Sequence, residues 1–380
     1  VDLRDLQTAF ERQSGKQLDY FFDQWFNEPG HPTLHTQVDT TQQGVNIRIV
    51  QTQDTEKQPV YRLPLNIAFM YSSGRTTRQI WIEKVDSTYQ FELPAKPKDS
   101  IYDPDDIQLA EIKEQGPGHA LLKRLNYPSV PVRFDALNQL QSRGLDSLTV
   151  VELMEVAKND SFWGIRMRAM QALTDDTTDQ VKEFARSRTY QTEPVGRVRI
   201  NALNVLGNDT TNATERYIKK MTIDTSYFVA AEAIKIYAKN FPEQSYEVLE
   251  PFRNKNSYKN IFKTAFAQGI RYSPDDRATK SLISMARHTG NHQYIREAMR
   301  GLAYQVQYGY AQKYQILEAC YAKLEDAYRQ NRNLCIDLIE TFAESNDISD
   351  IEYMMDNRNL SDEVSNRLRS LVEKLQVKEN

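Results

Sequence analysis

Five histidines are the first residues that could do chemistry, and four of them fall in His-x-x-x-His pairs, His31 with His35 and His288 with His292. Pro32 keeps the first pair in an extended segment, where the fourth residue on lies about 13 Å away at roughly 3.3 Å per residue. Two nitrogens on one zinc ion stand only about 3–3.5 Å apart, given Zn–N near 2.1 Å. Gly290 breaks the second pair at a helix end, and no third ligand is near it in sequence. Neither pair is assigned a metal. Asp103 and Asp105 with Glu114 have calcium-loop spacing, Glu114 falling at the twelfth position. Ile107 and Gln108, however, occupy the fifth and sixth positions, where a ligand and a turn-making glycine are required. That stretch is a turn. Gly116-Pro117-Gly118 reads as a linker, since no strand-to-helix unit and no third glycine follow it. There is no Gly-x-Ser-x-Gly and no Cys/His nucleophile pair. No catalytic or metal residue is named, and no substrate-binding one.

Three arginines recur at fixed spacing: Arg133, Arg166 and Arg199. As a basic ladder they would hold an acidic peptide end. As packing devices they would pair with capping aspartates and helix ends of the neighbouring helices, and an arginine set beside a buried alanine once per repeat favours that second role. Cys320 and Cys335, both in stretches of helical spacing, read as buried free thiols, with a disulfide between adjacent helices as the other option. Tyr237, Tyr304 and Tyr310 could line a peptide-binding surface, but such tyrosines more often cover half-buried helix edges.

The elements that carry these residues change character along the chain. Leu3, Leu6 and Phe10 keep helical spacing, Ser14-Gly15 stops that helix, and Leu18, Phe21, Phe22 and Trp25 stripe a second one ended by Pro29-Gly30. From about Thr33 the pattern alternates: Val45, Ile47, Ile49; then Leu63, Leu65, Ile67, Phe69; then Ile80, Ile82 and Phe91, Leu93. Gln43-Gly44, Ser72-Ser73-Gly74 and Asp86-Ser87 mark the turns. Five or six short strands predict a small antiparallel sandwich.

Beyond Tyr127 the chain repeats. Val132-Arg133-x-x-Ala136-Leu137-x-x-Leu140 recurs from Ile165, from Val198 and, more loosely, from Val229, Ile261 and Tyr294. The second residues of the copies fall at 133, 166, 199, 230, 262 and 295, a period near 32 that predicts a solenoid of helix pairs. Partner helices are expected around 148–157, 181–185, 217–221, 282–286 and 316–324, with a capping pair around 351–355 and 364–375 ending in Lys378-Glu379. The small alanine lets one helix approach the next while Leu, Ile and Met fill the groove, and the pattern resembles HEAT-type repeats.

At 380 residues the chain is too long for one core, so two to three domains are expected. A net charge of −4 and the reading that the chain has no Lys/Arg cluster with interleaved aromatics argue against a nucleic-acid binder. No apolar run approaches the roughly 20 residues that span a bilayer.

The opening succession is more specific. A short helix, Ser14-Gly15-Lys16-x-Leu18, Phe21-Phe22-x-x-Trp25, then Pro29-Gly30-x-Pro32-x-Leu34 resembles the junction in zinc aminopeptidases of the aminopeptidase N (gluzincin) family. Tyr102-Asp103-Pro104-Asp105 followed by Leu109-Ala110-Glu111-Ile112 resembles the close of that family's sandwich domain. The resemblance implies an α+β multidomain chain: residues 1–32 as terminal helices of a catalytic domain that is otherwise missing, 33–115 as an antiparallel β-sandwich, and 116–380 as an all-α HEAT-like solenoid. It further implies that the chain is the non-catalytic C-terminal part of a peptidase, with zinc held by the parent's catalytic domain. The partners would be that domain and, through it, peptide substrate. The family's His-Glu-x-x-His and Gly-x-Met-Glu-Asn motifs are absent here. The alternative is a HEAT-type scaffold derived from an aminopeptidase that lost its catalytic motif.

Overall fold

Asp2 starts the first helix: its carboxylate accepts from the Asp5 amide and the Asp5 carboxylate accepts from the Asp2 amide, both at 3.0 Å. Helix α1 (Leu3–Ser14) ends at Gly15, whose φ of 67° is the left-handed stop expected there. Helix α2 (Asp19–Phe22) continues into a π-helical turn, Asp23–Asn27. The computed structural model describes residues 2–41, 44–115, 118–288, 292–326 and 328–377. Gln43, the linker residues Gly116-Pro117, the helix break at Gly290 and the terminal Lys378-Glu379 lie outside them. The chain divides into two compact units, Val1–Ala172 and Leu173–Asn380. The fold is mixed α+β, with two small sheets and many helices.

Seven strands follow the first helices: β1 (Thr33–Thr40), β2 (Gly44–Gln51), β3 (Leu63–Tyr71), β4 (Gly74–Ile82), β5 (Asp86–Glu92), β6 (Asp99–Tyr102) and β7 (Glu111–Gln115). One sheet has the order β5-β2-β1-β7, the other β4-β3-β6. Leu34, Val45, Ile47 and Ile49 from the first share one core with Leu63, Leu65, Ile67 and Phe69 from the second. The expectation of antiparallel pairing needs a correction: β7 runs parallel to β1, with Thr33 opposite Glu111. It enters after β6 in the other sheet, so no tight hairpin dictates its direction. Gly44 stands opposite Glu92, where a Cβ would strike the Phe91 carbonyl.

In the first unit, helix α3 (Gly118–Arg124) packs on α4 (Val130–Arg143), and α5 (Ser147–Asn159) and α4 both pack on α6 (Trp163–Ala172). The second unit continues with α7 (Asp179–Arg186), α8 (Gly196–Val205), α9 (Asn212–Met221), α10 (Tyr227–Asn240), α11 (Pro242–Leu249), α12 (Ile261–Ile270), α13 (Asp276–Ala286), α14 (His292–Gln307), α15 (Lys313–Tyr321), α16 (Arg329–Phe342), α17 (Ile348–Asn357) and α18 (Asp362–Val377). Helices α8, α10, α12, α14, α16 and α18 pack in succession, each with an odd-numbered helix beside it. The six sequence copies begin on α4, α6, α8, α10, α12 and α14, and their alanines Ala136, Ala169, Ala202, Ala233, Ala265 and Ala298 are buried. A seventh copy, Asn331-Arg332-x-x-Cys335-Ile336-x-x-Ile339, lies on α16. Cys335 takes the place of the alanine. Cys320 and Cys335 are buried and unpaired, and Cys335's hydrogen bond together with burial pushes the Cys320 thiol's pKa up.

The recurring arginines share one geometry. Nη1 of Arg133 donates to the Tyr127 carbonyl at 2.8 Å, Arg166 to Asp160 at 2.9 Å, Arg199 to Glu193 at 2.8 Å and Arg332 to Asp326 at 2.6 Å. The acceptor is always the carbonyl six residues earlier, so each arginine closes the turn that enters its own helix. Arg133 and Arg199 also clamp an aspartate two-handed: Asp160 at 2.7 and 3.0 Å, Asp224 at 3.0 and 2.6 Å. Those aspartates accept from the Phe162 and Ser226 amides and so order the turn into the following helix of the series. Arg199→Ala leaves Asp224 buried without its partner and should cost about 3–5 kcal/mol. Thermal unfolding followed by circular dichroism checks this, and an unchanged Tm would refute it.

Candidate functional site

The residues singled out for chemistry do not converge. His31 precedes β1 and His35 lies within it, three residues on from Pro32 along an extended chain. His292 stacks on Tyr328 with ring centres 4.1 Å apart and its Nδ1 lies 3.3 Å from the Asn331 side-chain nitrogen. His288 meets Tyr294 edge to face at 5.9 Å. Among the described residues, no group of three or more His, Cys, Asp or Glu side chains is placed to hold a metal ion. Tyr237 is fully buried, its hydroxyl 3.1 Å from a Glu215 oxygen, and Tyr304 stacks on Tyr308.

What the structure does assemble, unannounced by the sequence, is a charge hub on α3. Arg124 is 5% exposed, and its donors meet Asp99 at 2.7 and 2.8 Å, Glu114 at 2.7 and 2.8 Å and the Ser100 carbonyl at 2.8 Å. A guanidinium has five N–H groups. Three of the five contacts share Nη2, Nε takes one and Nη1 takes one, so the cation lies between a carbonyl and two carboxylates that neutralise it. Burial pushes the Glu114 pKa up, while the two Arg124 hydrogen bonds work against that rise. Glu114 is thus an inward strand residue of β7 locked by α3, which explains why it takes no part in the Asp103 turn.

Asp103 lies beside this hub, with φ of 43° and side-chain Oδ1 buried without a hydrogen-bond partner. Oδ2 accepts from the Gln108 amide at 2.7 Å. Burial pushes its pKa up, so the folded form is favoured by protonation and loses that advantage as pH rises through the raised value. Asn tolerates the left-handed backbone better and carries no charge to desolvate. Asp103→Asn should therefore raise Tm at neutral pH, and the gain should shrink as pH falls through the raised value and be gone below the ordinary carboxylate range. A Tm gain independent of pH would refute the electrostatic part.

The remaining site is a surface. Gln24 is buried, and its side-chain amide pairs with the Arg62 backbone in both directions, Nε2 to the carbonyl and the Arg62 amide to Oε1, each at 2.9 Å. Trp25 packs on Tyr61 at 5.2 Å, the Tyr61 hydroxyl donates to the Pro29 carbonyl at 3.1 Å, and Arg62 lies over the Tyr20 and Trp81 rings. Leu18, Phe21, Phe22 and Trp25 read in sequence as one stripe. The structure divides it between α2 and the π-helical turn. Phe22 is buried and Trp25 packs on the sheet core, while Phe21 (40% exposed), Phe26 (54%) and, on α1, Leu6 (41%) and Phe10 (56%) stay exposed. Phe26 stacks on Phe22 at 5.3 Å and reaches Phe21 at 6.3 Å, so the outer rings form one apolar cluster. Gln7 to Asp19 at 2.8 Å and the Leu18 amide to Glu11 at 2.8 Å tie α1 to α2.

No family model matches the sequence, and no curated protein matches it. Among solved structures the chain is similar to aminopeptidase A of Legionella pneumophila, crystallised in complex with aspartic acid, at 14% identity and a TM-score of 0.54. The match covers 98% of this chain and 52% of that one, so the chain spans about half the length of that structure. The likeness is one of fold.

Proposed function

We propose that this chain is the non-catalytic C-terminal region of a zinc metallo-aminopeptidase that removes N-terminal residues from peptides. On this reading residues 1–32 close the catalytic domain, 33–115 form a β-sandwich spacer, and 116–380 form a HEAT-like solenoid that shapes or covers the active-site cavity. The observation that carries it is the two-faced junction. The π-helical turn is fastened to the sheets by Gln24 and Trp25, while Leu6 and Phe10 of α1 and the neighbouring rings Phe21 and Phe26 leave exposed apolar side chains of the kind that cover another domain. The likeness in fold to half of an aminopeptidase chain supports the same reading.

The chain's own residues do not fit a zinc ion. His31 and His35 are spread along an extended segment, and His288 and His292 pack against separate tyrosines. The zinc, and with it the hydrolytic step, belongs to the parent's catalytic domain. The purified chain should hydrolyse no aminoacyl-p-nitroanilide and hold no stoichiometric zinc by metal analysis. Hydrolysis abolished by a chelator would overturn the proposal. Phe10→Ser with Phe26→Ser should leave Tm unchanged while reducing binding of a hydrophobic dye, because both rings already face solvent. A matching fall in Tm would show instead that they belong to the chain's own core.

A further inference from the structure

A second surface lies far along the sequence from that junction and does not depend on the aminopeptidase reading. From Pro251 to Pro274 the chain carries Arg253, Lys255, Lys259, Lys263 and Arg271 and not one acidic residue, in a protein of net charge −4. Phe252, Tyr258 and Phe262 interleave the first four cations. This basic–aromatic cluster corrects the expectation that the chain has none: its cations are spaced two to eight residues apart and form no contiguous run.

The structure places this run against the end of α9. Lys219, Lys220, Ile223, Val248, Pro251 and Phe252 line a notch of about 550 Å³. Its apolar wall runs from an exposed lip to a buried floor: Ile223 is 74% exposed, Val248 half-buried and Phe252 4% exposed. The floor continues as rings, Phe252 to Phe262 at 5.5 Å and Phe262 to Tyr227 at 5.1 Å. Lys255 covers both phenylalanines, its Nζ 5.1 and 4.6 Å from their centres. Among the described residues, none of Lys219, Lys220, Lys255, Lys259 and Lys263 forms a salt bridge. Glu247, the acidic residue on the rim, is held by Arg277 at 2.6 Å.

We propose that this notch docks an acidic segment of a partner protein, which inserts one bulky apolar side chain beside Ile223 and lays its carboxylates against Lys219, Lys220 and Lys255. Charge complementarity sets the sign of the partner. The apolar wall from Ile223 down to buried Phe252 sets its form: it receives an apolar side chain of the segment, as pockets for short peptide motifs do, whereas a lipid surface is met by protruding residues.

The test is fluorescence anisotropy of the whole chain with a fluorescein-labelled peptide, Glu-Asp-Glu-Phe-Leu-Glu-Asp-Glu. A control peptide has Ser-Ser in place of Phe-Leu, and sedimentation with phosphatidylserine–phosphatidylcholine vesicles runs alongside. Saturable binding of the Phe-Leu peptide is expected. Ile223→Ser, or Lys219→Glu with Lys220→Glu, should weaken it roughly tenfold at unchanged Tm, since all three side chains are exposed. Equal binding of the Ser-Ser peptide, indifference to the substitutions or no binding at all would overturn the proposal. Vesicle binding in place of peptide binding would overturn it in favour of a lipid surface.

Discussion

A guanidinium taken out of water must find an acceptor for each of its N–H groups, and that requirement organises this protein more than any single apolar contact. Arg124 satisfies it with two carboxylates and a carbonyl, thereby fixing α3 against β6 and β7. Arg133, Arg166, Arg199 and Arg332 each direct Nη1 at the carbonyl six residues upstream, which is available only if the chain enters the helix through a tight turn. The turn makes the hydrogen bond possible and the hydrogen bond keeps the turn. Because Asp160 and Asp224 sit at the next such turn along the series, each clamp also spaces one helix from the following one.

Much of this was legible in the residues, for identifiable reasons. Gly15 marked the end of α1 because only a left-handed residue closes a helix that way cheaply. The alanine-centred repeat was visible because close helix approach forces a small residue at one position in every copy. The seventh copy on α16 escaped because the step from Ile295 to Arg332 is 37 residues and Cys335 replaces the alanine. Strands β1 and β7 gave weak alternation since their inward positions include the polar residues Thr36 and Glu114, the latter made tolerable by Arg124, distant in sequence.

The junction shows the limit of periodicity more sharply. A helical wheel places Phe21, Phe22 and Trp25 on one side of a helix. The stripe nevertheless divides: Phe22 is buried and Trp25 packs on the sheets, while Phe21, before the π-helical turn, and Phe26, within it, stay exposed. Gln24 was invisible for a different reason: glutamine usually belongs to the surface, and its burial depends on the Arg62 peptide group opposite.

That glutamine has an effect on the sheet as well as on the helix. Arg62 sits at the entrance to β3, and its amide and carbonyl are the groups an extended chain would use to add itself to a sheet. Gln24 answers both with one side chain. It thus acts as a one-residue strand, closing that point to intruding backbones, so the helical entry guards against edge-to-edge aggregation there as well as packing on the core.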